Sequence, residues 1–470
     1  MGASAVAVGA SFDDGADRAR LRALAARIDR LITRIDAALT AQVNVILHAP
    51  AFRQLEARWR ALGQLLDLAC TESGVEIRVL DVDWRTLARN MERASDFDQS
   101  HLFRLVYEGE FGMPGGYPFG LLVGDFLVSH RTDEARGDQV EVLRRLAAVG
   151  AAAFCPVILG AAPETLGYDH FGQIDAGADI DPRADREDAD LNRIRWETLR
   201  RAEDTRFLGL VAPGLRLRPA LSRYGAPRAD GFTFDEVADR PLIGNGAFAF
   251  AATVMAAFLE SGWFAAIRGA YQDIDGGGRV PGVAPADFGT DGHGLSAQSP
   301  AEFRPTAAQE EAMVERGLIP LASLYLDTGP VFNANPSLHR PVKYDTAIAT
   351  RNARLSAMLQ YVLCTSRFAH YLKVIMRDEI GSVADPVSLS TRLSAWLRDY
   401  CIGNDDAAQE LKAEYPLRDA GVEVRAIAGR PGAYNCTIRL QPHFQLDDIS
   451  TSFHLVAEAP SHAAAQRSLS

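Results

Sequence analysis

The stretch Arg351 to Gly381, RNARLSAMLQYVLCTSRFAHYLKVIMRDEIG, constrains what this chain can fold into more than any other. It contains no proline, and its glycine is the last residue, where a helix stops most readily. Leu355, Met358, Leu359, Val362, Ala369, Leu372, Met376 and Ile380 recur at spacings of three and four, which predicts one helix of about eight turns with an apolar stripe. Something must cover that stripe. It drifts by roughly 80° about the axis between the two halves, so a slow supercoil or a bend near Cys364-Thr365-Ser366 is expected. Arg367, His370, Lys373 and Arg377 fall together on one flank. Two readings of that flank stand: a solvated basic face on a core helix, or a face turned toward a partner.

Charge narrows the choice of partner. Lysine and arginine total 49 against 61 acidic residues, a net charge of −12, which argues against a general nucleic-acid or anionic-membrane surface. The five cysteines, Cys70, Cys155, Cys364, Cys401 and Cys436, are far apart, odd in number and mostly inside apolar runs. They read as reduced, buried thiols, with neither a disulfide framework nor a zinc knuckle. No run approaches 18 uninterrupted apolar residues, and no basic start precedes an apolar segment, so the expected location is the cytoplasm.

At 470 residues there is room for two or three domains. Residues 1–16 are small, polar and aperiodic, an expected disordered start. Residues 17–70 form a helical arm: Leu21, Leu24, Ile28, Leu31, Ile32, Ile35 and Leu39 keep helical spacing in a candidate docking helix, and a second helix follows Pro50. Residues 71–345 alternate strand and helix. Expected strands are Val75–Val79, Phe119–Val123, Phe154–Leu159, Phe207–Val211, Trp263–Ile267 and Leu318–Leu326. Expected helices are Trp84–Ala94, His101–Tyr107, Val140–Ala152, Leu191–Asp204 and Gly244–Gly262. The acidic run Asp175–Asp190 and the glycine-rich excursion Tyr271–Pro305 read as surface loops. The fold class is therefore mixed α/β (α+β), a mixed or parallel sheet covered by helices.

Residues 346–460 read as a second unit, with 461–470 a loose tail. After the long helix and a shorter one at Ser388–Tyr400, strands are expected at Val422–Ile427, Tyr434–Leu440 and Ile449–Val456. A Gly429-Arg430-Pro431-Gly432 turn would join the first two. Tyr434, Cys436, Ile438 and Leu440 face one way, as do Ile449, Phe453 and Leu455. A three-stranded antiparallel sheet backed by a helix leaves two edges, which recruit further strands unless blocked.

Catalytic motifs are poorly represented. Gly244-Asn245-Gly246-Ala247-Phe248-Ala249 fits the loose G-x-G-x-x-A pattern, but only Leu242 and Ile243 precede it and no acidic residue sits at a strand end 20 positions later. A helix start packed closely on its neighbour is the simpler reading. Gly124-Asp125, at the end of the expected Phe119–Val123 strand, is either an active-site carboxylate or a turn aspartate bonding to backbone. There is no P-loop, H-E-x-x-H, C-x-x-C or G-x-S-x-G, so no catalytic residue, cofactor or metal is expected.

SRFAHYLKVIMRDEIGS, within the long helix, resembles the signature helix of the large subunit of the type VI secretion contractile sheath, the TssC/VipB family. GYPFGLLVGD, RAEDTRFLGL, GNGAFAFA, ARLSAMLQYV and LQPHFQLDDISTSFHLVAE resemble further family segments in the same order, between about residues 40 and 458. Where Tyr117 stands the family commonly has an acidic residue.

The resemblance implies a structural protein and no enzyme. It would pair with a small sheath subunit, stack with copies of itself as a helical polymer around an inner-tube ring protein, meet a baseplate, and be taken apart indirectly through an AAA+ ATPase. It also implies that neighbours complete the C-terminal sheet. Candidate interface residues are then Arg367, Lys373 and Arg377 on the helix, with Tyr434, Cys436, Ile438, Leu440, Ile449, Phe453 and Leu455 on the sheet. Members typically carry a longer N-terminal arm. Either Asp17–Leu47 does the linking here, or the chain is a divergent accessory paralogue; a cytosolic α/β enzyme or ligand-binding protein is the competing class.

Overall fold

The computed structural model describes residues 14–458 apart from 70–73, 114, 133–135, 179, 181–190, 222–231, 233, 238–240, 271–275, 284–285, 288–296, 325–328, 380–385, 405–406, 427–433 and 444–452. The expected disordered start, most of the acidic loop, much of the glycine-rich excursion, the Gly429–Gly432 turn, Ile449 and the tail lie outside the described residues, wholly or in large part. Two compact units emerge, one of residues 1–57 with 218–242 and one of 58–217 with 243–470.

The first unit contains α1 (Asp14–Leu47) and the start of α2 (Pro50–Ala69). Pro50 opens α2 at a position where a missing N–H costs nothing.

The second unit is built on a four-stranded parallel sheet of β1 (Leu122–Val128), β2 (Val157–Ala161), β3 (Leu208–Ala212) and β4 (Leu318–Pro320), in that spatial order. β2 and β3 are buried along their whole length, which their unbroken apolar sequences require of a sheet covered on both faces. Alternate residues go to opposite cores. Leu159, Leu208, Leu210 and Leu318 face the core completed by α3 (Gln139–Ala153), whereas Ile158, Val211 and Ile319 face α5 (Gly246–Ser261). α4 (Leu191–Arg201) leads toward β3. Glycine is required where elements close on the sheet: a Cβ on Gly209 would lie 2.6 Å from Leu359 Cδ1, and one on Gly124 2.4 Å from Leu159 Cδ2.

Three expected features take another form. Val75–Val79 pairs with nothing among the described residues, because Val79 is exposed and Ile77 is the residue of the set that reaches a core. Trp263–Ile267 is likewise no strand; it fills space, with Trp263 stacked 4.1 Å from Phe368. The helix expected over Arg351–Gly381 is two helices, α6 (Ala347–Ser356) and α7 (Leu359–Glu379), broken at Ala357-Met358 rather than bent at Cys364–Ser366. The break is held by an outside segment. The Ala357 carbonyl accepts the N–H and hydroxyl of Ser337, and the Leu359 N–H donates to Asn335 at 2.8 Å.

α7 continues into the C-terminal part. Leu359 and Leu363 belong to the α5 side of the sheet. From the next residue on, Cys364, Phe368, Leu372 and Met376 join a separate core with Leu389, Leu393 and Leu397 of α8 (Pro386–Arg398) and the inner face of an antiparallel sheet. That sheet runs β5 (Leu417–Ala426), β6 (Tyr434–Pro442) and β7 (Phe453–Glu458), with Val422 opposite Ile438 and Ile438 opposite Leu455. Two helices rather than one therefore back it.

Candidate assembly surfaces

Alternate side chains of β5 and β6 turn inward, while Glu423, Arg425 and Arg439 between them are exposed. Cys436, Ile438 and Leu440 of β6 are fully buried against α7 and α8, so these three act through packing within the chain. Phe453 and Leu455 lie opposite Leu440 and Ile438 on β7, and Tyr434 lies opposite Ala426. The outer edge of β5 is closed only in part: Leu417 exchanges main-chain bonds with Tyr400 and Ile402, and the Val422 carbonyl takes the Ser390 hydroxyl. The outer edge of β7 has no main-chain partner among the described residues. Such an edge is a template for another strand.

The basic flank of α7 is folded back on the chain. Arg367 lies 4.4 Å over the Tyr371 ring and donates to its hydroxyl at 2.9 Å. Lys373 sits over Phe111 and Tyr107, and Arg377 donates to the Met113 carbonyl at 2.5 Å. Burial, joined by the nearby Arg377, pulls the Lys373 ammonium down to about 8. His370 is 1% exposed, its Nε2 2.9 Å from the Ala153 carbonyl, so the ring proton belongs on Nε2. Nδ1 is buried without a partner, and burial holds the ring neutral with its pKa at about 4. Lys373 and Arg377 partner the π-helical turns at Arg104–Phe111 and the loop after them, which sequence spacing could not show.

In the first unit the docking helix anticipated from periodicity stands bare. Leu21, Leu24, Ile28, Leu31, Ile32, Ile35 and Leu39 of α1 are between 42% and 65% exposed. Positions 21, 24, 28, 31 and 35 follow the three-then-four alternation of a coiled-coil seam. Below it, Arg218 donates to Glu56 at 2.6 Å and Glu236 at 2.5 Å, and His48 lies 3.3 Å from Glu236. All four members of that charged core are nearly buried. Burial opposes the Arg218 charge, but the two carboxylates outweigh it and raise its pKa.

The two enzyme-like signals have structural jobs. Asn245 caps α5 by accepting from the Ala247 N–H at 3.0 Å, and a Cβ on Gly246 would lie 2.6 Å from the Pro213 carbonyl. The glycines thus serve close packing. Asp125 lies inside β1, not at a strand end, and pairs with Arg58 at 2.6 Å. Cys155, Cys364 and Cys436 are buried free thiols. Burial holds them protonated and unreactive, Cys364 pushed up to about 12 and Cys436 to about 11. Among the described residues no helix is long and apolar enough to cross a membrane.

Comparison with known proteins accounts for this architecture. Two solved sheath tail proteins overlay weakly. One from Desulfitobacterium hafniense has TM-score 0.34 at 13% identity over 71% of this chain, and one from Listeria innocua has 0.39 at 11% over 81%. The chain spans 57% and 61% of their lengths, and overlays this loose carry no argument. Sequence is decisive. The type VI secretion system sheath protein TssC1 of Pseudomonas aeruginosa is 35% identical over 451 residues, 92% of this chain and 86% of that protein. Residues 29–339 match the EvpB/VC_A0108 tail sheath N-terminal domain and residues 348–459 the tail sheath gpW/gp25-like domain of the same family. The chain belongs to the VipB family of tail sheath proteins, as a large structural subunit of a type VI secretion contractile sheath.

Proposed function

We propose that this subunit is joined into its tube by strand addition at the C-terminal sheet, and that its role there is mechanical rather than catalytic. The outer edge of β7, Phe453–Glu458, carries the proposal, because it offers a row of main-chain groups without a partner among the described residues. Main-chain bonds of this kind hold neighbours together while tolerating rotation between them, as contraction of a tube demands. The inward packing of Cys436, Ile438 and Leu440 on α7 keeps that edge rigid.

The seam on α1 supports a second contact, with a helix of the small sheath subunit as its partner. A two-stranded seam buries the exposed leucines and isoleucines that this unit leaves in water. Copies of the heterodimer then enclose an inner tube and end at a baseplate, all in the cytoplasm, with an AAA+ ATPase acting on the spent polymer. The division of labour falls near residue 346: a central domain of 71–345 and an assembly domain of 346–460.

Co-expression with the small sheath subunit and negative-stain microscopy tests the reading. Long hollow tubes are expected. Discrete small oligomers at every protein concentration would exclude it.

A further inference from the structure

A cleft of about 880 Å³ opens in the second unit between α4, the segment 336–343 and α6. Nine cationic side chains and two carboxylates line it. Four of the cations are tied to the chain: Arg200 donates to the Leu338 and Glu315 carbonyls, Arg340 to Glu197, Arg268 to Asn333 and Arg316 to Thr165. The other five, Arg193, Arg201, Lys343, Arg351 and Arg354, are exposed, and none has a side-chain hydrogen bond or ion pair among the described residues. Like charges gathered in one concavity repel one another unless something negative covers them. Nine cations against two acids leave seven positive charges in a chain of net charge −12, so everything outside the cleft carries −19.

We propose that this cleft docks the acidic surface of a second copy of the chain, in a head-to-tail contact. The inference rests on the assembly reading above. A basic concavity and an acidic remainder on one molecule are complementary when two copies meet. Contacts between two different surfaces propagate from copy to copy, into rings where the rotation closes and into helical polymers where it does not. Eight of the nine cations are arginines, whose planar forks match carboxylates in pairs. Trp196, Val314 and Met358 add apolar wall, which suits a polypeptide better than a bare polyanion. Nucleic acid would meet repulsion from the rest of the surface. The cleft also spans residues 339 to 348, where the two sheath domains meet, so a copy seated there touches both.

The test uses the full chain with its small subunit. Arg351→Glu/Arg354→Glu reverses one wall, and Arg193→Glu/Arg201→Glu reverses the other. Both pairs are expected to retain the small subunit on co-purification, which shows that they fold, and to lose sedimenting tubes. Wild-type tubes should shorten as salt rises. Carbodiimide coupling in tubes mixed from light and ¹⁵N-labelled chains should join Lys343 to an aspartate or glutamate of another copy. Normal tubes from both double variants overturn this contact and leave the assembly reading standing. A Lys343 crosslink to the small subunit, or an oligonucleotide seated in the cleft with tubes unaffected, overturns it as well. A wild-type pair that never forms tubes removes the assembly reading and this contact together.

Discussion

The ammonium of Lys373 lies 3.5 Å from the centroid of the Phe111 ring and 4.8 Å from that of Tyr107, partly buried between α7 and the π-helical turns at Arg104–Phe111. Two effects compete there. Attraction to the rings contributes at most about 2 kcal/mol. Holding the charge out of water, which pulls the pKa from 10.5 to about 8, costs on the order of 3 kcal/mol. Desolvation wins, so Lys373→Met should raise stability by about 1 kcal/mol at neutral pH, measured by denaturant unfolding. Because the unfolded lysine holds its proton up to higher pH, wild-type stability should climb between pH 8 and 10.5 and the variant should lack that climb. A less stable methionine variant would show that ring attraction dominates.

His370 predicts the acid limb of the same curve. Its folded pKa of about 4 lies below its ordinary 6.5, so the unfolded chain binds the extra proton first as pH falls. Stability attributable to this ring is complete above pH 6.5 and is lost toward pH 4, on the order of 3 kcal/mol in all. His370→Gln keeps a donor toward Ala153 and should flatten that limb. Parallel curves for the two proteins would contradict it.

Arg218 neutralises two nearly buried carboxylates, Glu56 and Glu236. Arg218→Met removes the cation they share and should destabilise the first unit by about 3–5 kcal/mol, read as early proteolytic cleavage within residues 1–57 or 218–242. The triple change with Glu56→Gln and Glu236→Gln should recover most of that loss.

Along β7, consecutive residues point their N–H groups alternately toward β6 and away from it. Of Leu455→Pro and Val456→Pro, one therefore breaks the internal ladder and the other alters only the open edge. The edge variant should unfold at the wild-type temperature and form no tubes under the microscope. Tubes of normal length from a stable variant would rule out strand addition at β7. Ile438→Pro is less informative, because Ile438 pairs with Val422 and Leu455 on both sides.

On α1, Ile28→Asp with Ile35→Asp places charge in the exposed seam. Stability of the isolated chain should change by less than about 0.5 kcal/mol, since neither side chain is buried. Co-purification with the small subunit should fail. Undiminished recovery would assign the seam to something else.

Periodicity placed α1, α2, α3, α4, α5 and α8 within a few residues, because each buries or exposes a stripe that composition alone reveals. It failed at Ala357-Met358, where no proline or glycine marks the interruption and the cause is Asn335–Ser337 bonding from elsewhere in the chain. It failed again at Val75–Val79 and Trp263–Ile267, whose apolar character is genuine but has no neighbouring strand to pair with. The cleft was invisible for a related reason. Its cations come from stretches over a hundred residues apart, and net charge averages them away.

By itself the sequence determined the family and the class of fold, since an ordered series of motifs and a repeating apolar spacing are properties of a string of residues. Only the tertiary structure decided which groups are free to meet another molecule. It set Arg367 and Lys373 against aromatic rings and Arg377 against the Met113 carbonyl, and it left the edge of β7 without a partner among the described residues and the seam of α1 exposed. Exposure is a relation between distant parts of a chain, and spacing along one helix or strand holds no record of what packs against it.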